Sequence, residues 1–138
     1  MSERVKLADE LHRKGFNCAQ SVAVACADLV EDVPKEFLFK ATEGFGAGMG
    51  TMDGVCGALT GGLVIAGLKN STGNFDNPKS KASTMKISKA MLTSFREKSG
   101  AIICRELKGV DTGKMLCSCP NCIKHGVEVV EEQLSGKG

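Results

Sequence analysis

Residues 44–68 read GFGAGMGTMDGVCGALTGGLVIAGL, and the fold turns on how that stretch divides. Its first half is a glycine-rich loop. Gly44, Gly46, Gly48, Gly50 and Gly54 let the backbone take positive φ, or pass close to another group with no Cβ in the way. Its second half is an apolar run too long for an ordinary strand. Asp53 supplies an N-cap, which places Cys56 in the first turn of a helix running to Leu68. There the free N–H groups and the macrodipole favour thiolate over thiol. A low-pKa sulfur is both the better metal ligand and the more available redox nucleophile. Only Thr60 interrupts the apolar run before Lys69, and a helix apolar all round is a buried one. Gly57, Ala58, Gly61, Gly62, Ala66 and Gly67 keep it slim, at roughly 1 kcal/mol per interior glycine relative to alanine. What that slimness permits is close approach by another helix or a cofactor; the plainer alternative is a tightly packed core helix. The run falls short of the ~20 residues that cross a bilayer, so no membrane span is expected.

Around this stretch lie 138 residues with 18 Lys and Arg against 16 Asp and Glu, a formal charge of +2. That length suits a single domain over residues 1–138 with a core that needs no disulfide staples. The charges are interspersed and Phe is the only aromatic platform, so nothing points to nucleic acid. The N-terminus, MSERVKLADELHRKG, is charged where a secretory leader is apolar, which assigns the chain to the cytoplasm. Seven cysteines are then the strongest compositional signal. In a reducing compartment they serve metals or catalysis more often than disulfides, and an odd number cannot pair completely. Cys26, among Val22, Val24, Ala25 and Leu29, reads as a small buried hydrophobe.

The flanking segments read as helices. Ser2–Lys14 is amphipathic, with Val5, Ala8, Leu11 and His12 at helical spacing, and Gly15 ends it. His12, beside Arg13 and Lys14, is expected half-exposed. Asn17-Cys-Ala-Gln20 is a capping box that starts a second helix, from Cys18 to about Val30, with Cys18 at its first position. Pro34 opens a third, Lys35 to about Glu43, with Phe37, Leu38 and Ala41 inward. Asn70–Pro78 is a surface loop. A long helix from Ser80 or Ser83 to about Lys98 turns Met85, Ile87 or Ser88, Met91, Leu92 and Phe95 inward. Ala101–Leu107 is a short apolar piece carrying Cys104, expected as a helical turn although pattern alone does not separate it from a strand. Pro120 at the first position begins the last helix, to about Leu134, with Ile123, Val127, Val130 and Leu134 on its apolar face. Ser135–Gly138 is a frayed tail. The expected fold class is all-α: a compact bundle of about five to six helices around the buried Gly/Ala-rich central one.

Cys119 and Cys122 form C-x2-C at a helix start, with Cys117 two residues earlier. That spacing fits half a zinc site, a redox dithiol or part of an iron–sulfur site. Cys18, Cys56 and Cys119 or Cys122 all fall at expected helix N-termini. If the bundle gathers those ends and Cys104 at one pole, four thiols meet in an electropositive pocket suited to an iron–sulfur cluster or zinc. Without a metal they make dithiols, Cys119/Cys122 or Cys18/Cys56; the plain alternative is unrelated buried cysteines. The glycine-loop N–H groups, with Gly46, Gly48 and Gly57 as the close-approach positions, are expected to hold such a cofactor. His125, three residues after Cys122, is the histidine placed to assist a metal. Neither G-x-G-x-x-G after a strand nor a P-loop is present, which leaves no nucleotide site. Ile123 stands where covalent haem attachment needs His, which leaves no haem.

These residues together resemble the family of redox-active proteins named after its cysteine pattern, C…GCAxxG…C…C. The segments that carry the resemblance are Phe16-Asn-Cys-Ala-Gln20, GFGAGMG, Cys56-Gly-Ala-Leu-Thr-Gly61, Cys104-Arg-Glu-Leu-Lys-Gly109 and the cysteine that opens the C-terminal helix. With Cys56 aligned, Val55, Gly57 and Thr60 stand where the family name has Gly, Ala and Gly. The resemblance spans about Gly15 to Leu134. It implies a small helical cytosolic domain with four family cysteines, here Cys18, Cys56, Cys104 and Cys119. Cys117 and Cys122 are additions that leave the fourth position open among the three. A domain of split-Soret cytochromes is similar and holds an iron–sulfur cluster, which the resemblance extends to this chain. The leading expectation is therefore a cluster bound by Cys18, Cys56, Cys104 and Cys119 or Cys122, for electron transfer or redox sensing with an unidentified redox partner. The alternatives are a metal-free thiol–disulfide oxidoreductase and a structural zinc module, so whether the chain is an enzyme stays open. A homodimer contact through the Gly/Ala helix is equally open.

Overall fold

A computed structural model describes residues 2–135. Among the described residues there are seven α-helices: α1 (Glu3–Lys14), α2 (Cys18–Ala25), α3 (Lys35–Thr42), α4 (Gly57–Asn70), α5 (Lys81–Ser99), α6 (Cys104–Lys108) and α7 (Cys119–Leu134). Two 3-10 turns, Ala27–Val30 and Glu43–Phe45, a single turn at Gly46–Met49 whose Ala47 and Gly48 are left-handed, and one antiparallel bridge between Val55 and Ile103 complete the regular structure. The fold is all-α, but the expected count of five to six helices is corrected to seven. The extra one is α6: Gly109, at φ 69°, closes Cys104–Lys108 into a helix of its own. No helix among the described residues is long and apolar enough to cross a membrane. The tail at Gly136–Gly138 lies outside the described residues.

Local chemistry sets most boundaries. The Ser2 hydroxyl accepts from Val5 N–H at the start of α1, and Gly15 ends it at φ 120°. The capping box of α2 is formed both ways: Gln20 N–H donates to Asn17 Oδ1 at 2.9 Å, and Asn17 N–H to Gln20 Oε1 at 3.0 Å. That helix stops at Ala25 rather than Val30. The Cys26 N–H is shared between the Val22 and Ala23 carbonyls, at 3.1 and 3.2 Å, and the chain tightens into the 3-10 turn that follows. In α3 the inward stripe is Leu38 and Thr42; Phe37 is 65% exposed and Ala41 is also outside. Met85 likewise points outward, and the buried stripe of α5 is Met91, Phe95 and Ser99.

The core lies where α4 meets α2, α7 and α5, with α1 across α2 and α7 and α3 against α2. Leu59, Ile65, Met91, Phe95, Ile123 and Val127 are fully buried there. The glycines of α4 set how close its neighbours come. A Cβ on Gly61 would sit 2.9 Å from the Ala19 Cα and 3.0 Å from its carbonyl carbon, and one on Gly62 would meet Val130 at 2.9 Å. The slim face of α4 is thus occupied by helices of the same chain. Burial is not complete around it: Leu63 and Val64 are half-buried and Leu68 is 43% exposed, which corrects the expectation of a helix buried all round.

Candidate redox site

Three helices begin on a cysteine and a fourth is preceded by one. Cys18 opens α2, Cys104 opens α6 and Cys119 opens α7, while Cys56 is itself the N-cap of α4. The expected cap, Asp53, is instead paired with Arg105 at 2.9 Å. For α7 the Ser118 hydroxyl is the cap, accepting from Asn121 N–H, so Pro120 falls one residue after the first position.

The glycine loop clamps two of these starts together. Cys56 N–H donates to the Ile102 carbonyl at 2.7 Å, Cys104 N–H to Gly54 at 3.0 Å and Arg105 N–H to Met52 at 2.8 Å. Between these anchors Ala47, Met49 and Met52 take φ of 53°, 62° and 67°, left-handed positions that cost non-glycine residues of order 1 kcal/mol each. Gly48, at φ 59°, allows the closest approach: a Cβ there would lie 2.6 Å from Cys104 Cβ. Gly46 abuts the Asn17 side chain, and Gly57 faces Ala19 and the Phe45 carbonyl. The N–H groups of Gly50, Met52 and Gly54 are spent on carbonyls of Gly46, Ala47 and Gly48. The glycines therefore position cysteines through packing, and their loop directs its amides inward on itself.

The four thiols influence one another most strongly in two pairs, Cys18 with Cys119 and Cys122 with Cys56, and Cys122 Sγ donates to the Cys117 carbonyl at 3.8 Å. The sequence expected the dithiols Cys119/Cys122 and Cys18/Cys56; the strongest mutual influence runs between Cys18 and Cys119 and between Cys56 and Cys122, all four acting on one another at one pole. All seven cysteines are free thiols. The Cys18 thiol, opposed by burial and helped by Lys108 and His12, brings Cys119 down to about 5. The Cys122 thiol, opposed by burial, brings Cys56 down to about 7. The Ala58 and Leu59 N–H groups face the Cys56 sulfur and help, without forming a geometrically complete cap. Cys18 and Cys122 are pushed up by Cys119 and Cys56 respectively and by burial. A place at a helix start does not by itself lower Cys18. Burial raises Cys104, which faces Cys56, Cys119 and Lys108 without a sulfur contact of its own. Cys26 stands apart, fully buried and held up at about 12 by desolvation.

One neighbour, Lys108, was not singled out beforehand. Lys108, half-buried at the end of α6, donates from Nζ to the Cys117 carbonyl at 3.1 Å and lies 3.8 Å from Cys122 Sγ. Burial alone would lower it, but the charges on Cys122, Cys119 and Cys56 raise it. Its i,i+4 spacing from Cys104 within CRELK was the available signal. Cys117 is buried, and its sulfur lies 3.7 Å from His125 Nδ1, which also meets the Ser99 hydroxyl at 2.7 Å. His125 is lowered by burial and bonds to Ser99 and Cys117 rather than to the four-sulfur group.

Among the described residues no three of His, Cys, Asp and Glu converge tightly enough to hold one metal ion. A two-iron cluster takes four thiolates, two on each iron, and Cys18, Cys56, Cys119 and Cys122 are four free thiols of the chemistry it would need.

A family model described as "Putative redox-active protein (C_GCAxxG_C_C)" matches residues 16–133. Searches of curated proteins and of solved structures found no match. The chain belongs to that cysteine-pattern family.

Proposed function

From that membership as premise, we propose that the cysteine pole is a redox centre for electron transfer or redox sensing. In this reading Cys18/Cys119 and Cys56/Cys122 are the ligand pairs of a two-iron iron–sulfur cluster. When bound, such a cluster supplies one-electron chemistry. What supports the reading is the grouping of Cys18, Cys56 and Cys119 at helix starts, with Cys122 three residues further on, around the Lys108 ammonium. Helix N-termini and Lys108 favour negative charge at this point, so the pole suits thiolates and the anionic group they would hold. Cys104 stands beside the set, and Gly48 keeps it pressed there. A cytoplasmic location and a separate redox partner belong to the same proposal.

A second reading rests on the asymmetry within each pair. Metal-free, Cys119 is the half-exposed thiolate and Cys18 the protonated partner, the division of labour of a nucleophile and a resolving thiol. The Cys119 thiolate attacks a partner disulfide and displaces one partner thiolate. Cys18 then gives up its proton and attacks the mixed disulfide, which releases the second partner thiol and leaves a Cys18–Cys119 bond.

Anaerobic purification followed by a visible spectrum and iron, acid-labile sulfide and zinc analysis tests both. A coloured protein with two irons and two sulfides per chain is the expected result, lost in single Cys→Ser variants at 18, 56, 119 and 122 and kept at 26. Metal-free protein that reversibly loses two titratable thiols moves the conclusion to the second reading. Colourless protein with stoichiometric zinc sinks both.

A further inference from the structure

Lys108 is out of place for an ordinary surface lysine. It is half-buried, and among the described residues no carboxylate lies within ion-pairing distance of its Nζ. Its neighbours are the Cys117 carbonyl and Cys122 Sγ, with Cys56 and Cys119 facing it. Burying a cation without a counter-charge is costly, so the sulfurs are what hold it there. The backbone is built to keep it in place. Gly109 turns the chain so tightly that a Cβ would lie 2.8 Å from Met115 N. That turn lets the Leu107 carbonyl accept from Leu116 and Cys117 N–H at 2.9 and 3.2 Å, which brings the Cys117 carbonyl onto the ammonium.

We infer that Lys108 sets the redox poise of the centre, as a fixed positive charge that stabilises its reduced form. The inference rests on the pole being a redox centre and holds for either version of it. Reduction adds negative charge in both cases: an electron to a cluster, or two electrons and one proton to a Cys18–Cys119 disulfide that becomes a thiolate and a thiol. A cation at contact distance favours that state electrostatically. Removing it makes reduction harder, and a charge-conserving replacement does not.

The test is an equilibrium redox titration of the anaerobically purified wild-type chain and of Lys108→Met and Lys108→Arg. Visible absorbance is the readout if iron is present, and thiol content in glutathione buffers if it is not. K108M, which keeps the apolar stem, is expected to reduce at least tenfold less readily. That is a fall of about 59 mV for a one-electron couple or about 30 mV for a two-electron couple. K108R stays near wild type. If circular dichroism shows K108M unfolded, Lys108→Gln is read against the same criterion. A K108M couple that coincides with wild type overturns the inference alone, as does a K108R couple displaced as far as K108M. A wild-type chain with no redox couple at all overturns both this inference and the reading beneath it.

Discussion

Replacing Gly61 with alanine and Gly67 with alanine makes the same chemical change twice in one helix, with opposite expected signs. In a solvent-facing helix interior, Gly→Ala stabilises by up to about 1 kcal/mol. Gly67 meets that condition, since a Cβ there would have nothing within 4 Å. At Gly61 the new methyl would lie 2.9 and 3.0 Å from two backbone carbons of Ala19, where carbon atoms otherwise rest about 3.5–4.0 Å apart. Backbone cannot rotate away as a flexible side chain would, so α2 must move bodily by roughly 0.5–1 Å from α4. Overpacking of this kind costs about 1–3 kcal/mol. After the propensity gain is subtracted, G61A is expected to be about 1–2 kcal/mol less stable than wild type, and G67A up to about 1 kcal/mol more stable. Urea unfolding followed by far-ultraviolet circular dichroism measures both midpoints. Because α2 carries Cys18, G61A is also expected to weaken the influence of Cys18 on Cys119, read as slower alkylation of Cys119 at pH 6. If G61A unfolds at or above the wild-type midpoint, the close-approach account of the α2–α4 contact is wrong.

Three further outcomes follow from particular residues. In the metal-free chain, Cys119 is brought to about 5, so its alkylation rate is half-maximal near pH 5 and flat above about pH 6.5; Cys18→Ala removes the largest cause and moves the midpoint upward, and a wild-type midpoint above pH 8 refutes the pairing. Arg4 grips Asp28 through two bonds of 2.7 and 3.0 Å and Glu131 at 3.0 Å, tying α1 to the turn after α2 and to α7. These groups are partly solvated, so Arg4→Ala is expected to cost only about 1 kcal/mol, seen as a Tm loss of roughly 3–5 °C that shrinks in high salt; no change in low salt would refute it. Cys26→Ala removes a fully buried sulfur far from the pole and should lower stability by about 1 kcal/mol while leaving the visible spectrum or titratable thiol pair unchanged; loss of the centre would place Cys26 in it.

Much of the fold was legible because its signals act over a few residues. The Asn17–Gln20 capping box, Gly15 at the end of α1 and the start of α7 each depend on hydrogen bonds within one helical turn. Cysteines at helix starts were legible for the same reason. Which side chains face inward was less so. Phe37 and Met85 have the right character for a core, yet α3 and α5 turn Leu38 and Met91 inward instead, because a helix's roll is decided by what packs on it.

Taken alone, the sequence determined that this protein is a set of helices with four thiols waiting at or near their first turns. Tertiary structure decided which thiols act on one another, that Cys18 is pushed up while Cys119 is brought down, and that Lys108 stands among them. The reason is one of range. A helix start is governed by residues three or four positions away, whereas Cys18 and Cys119 come near enough to act on one another only because slim glycine faces let α2, α4 and α7 close to backbone distance.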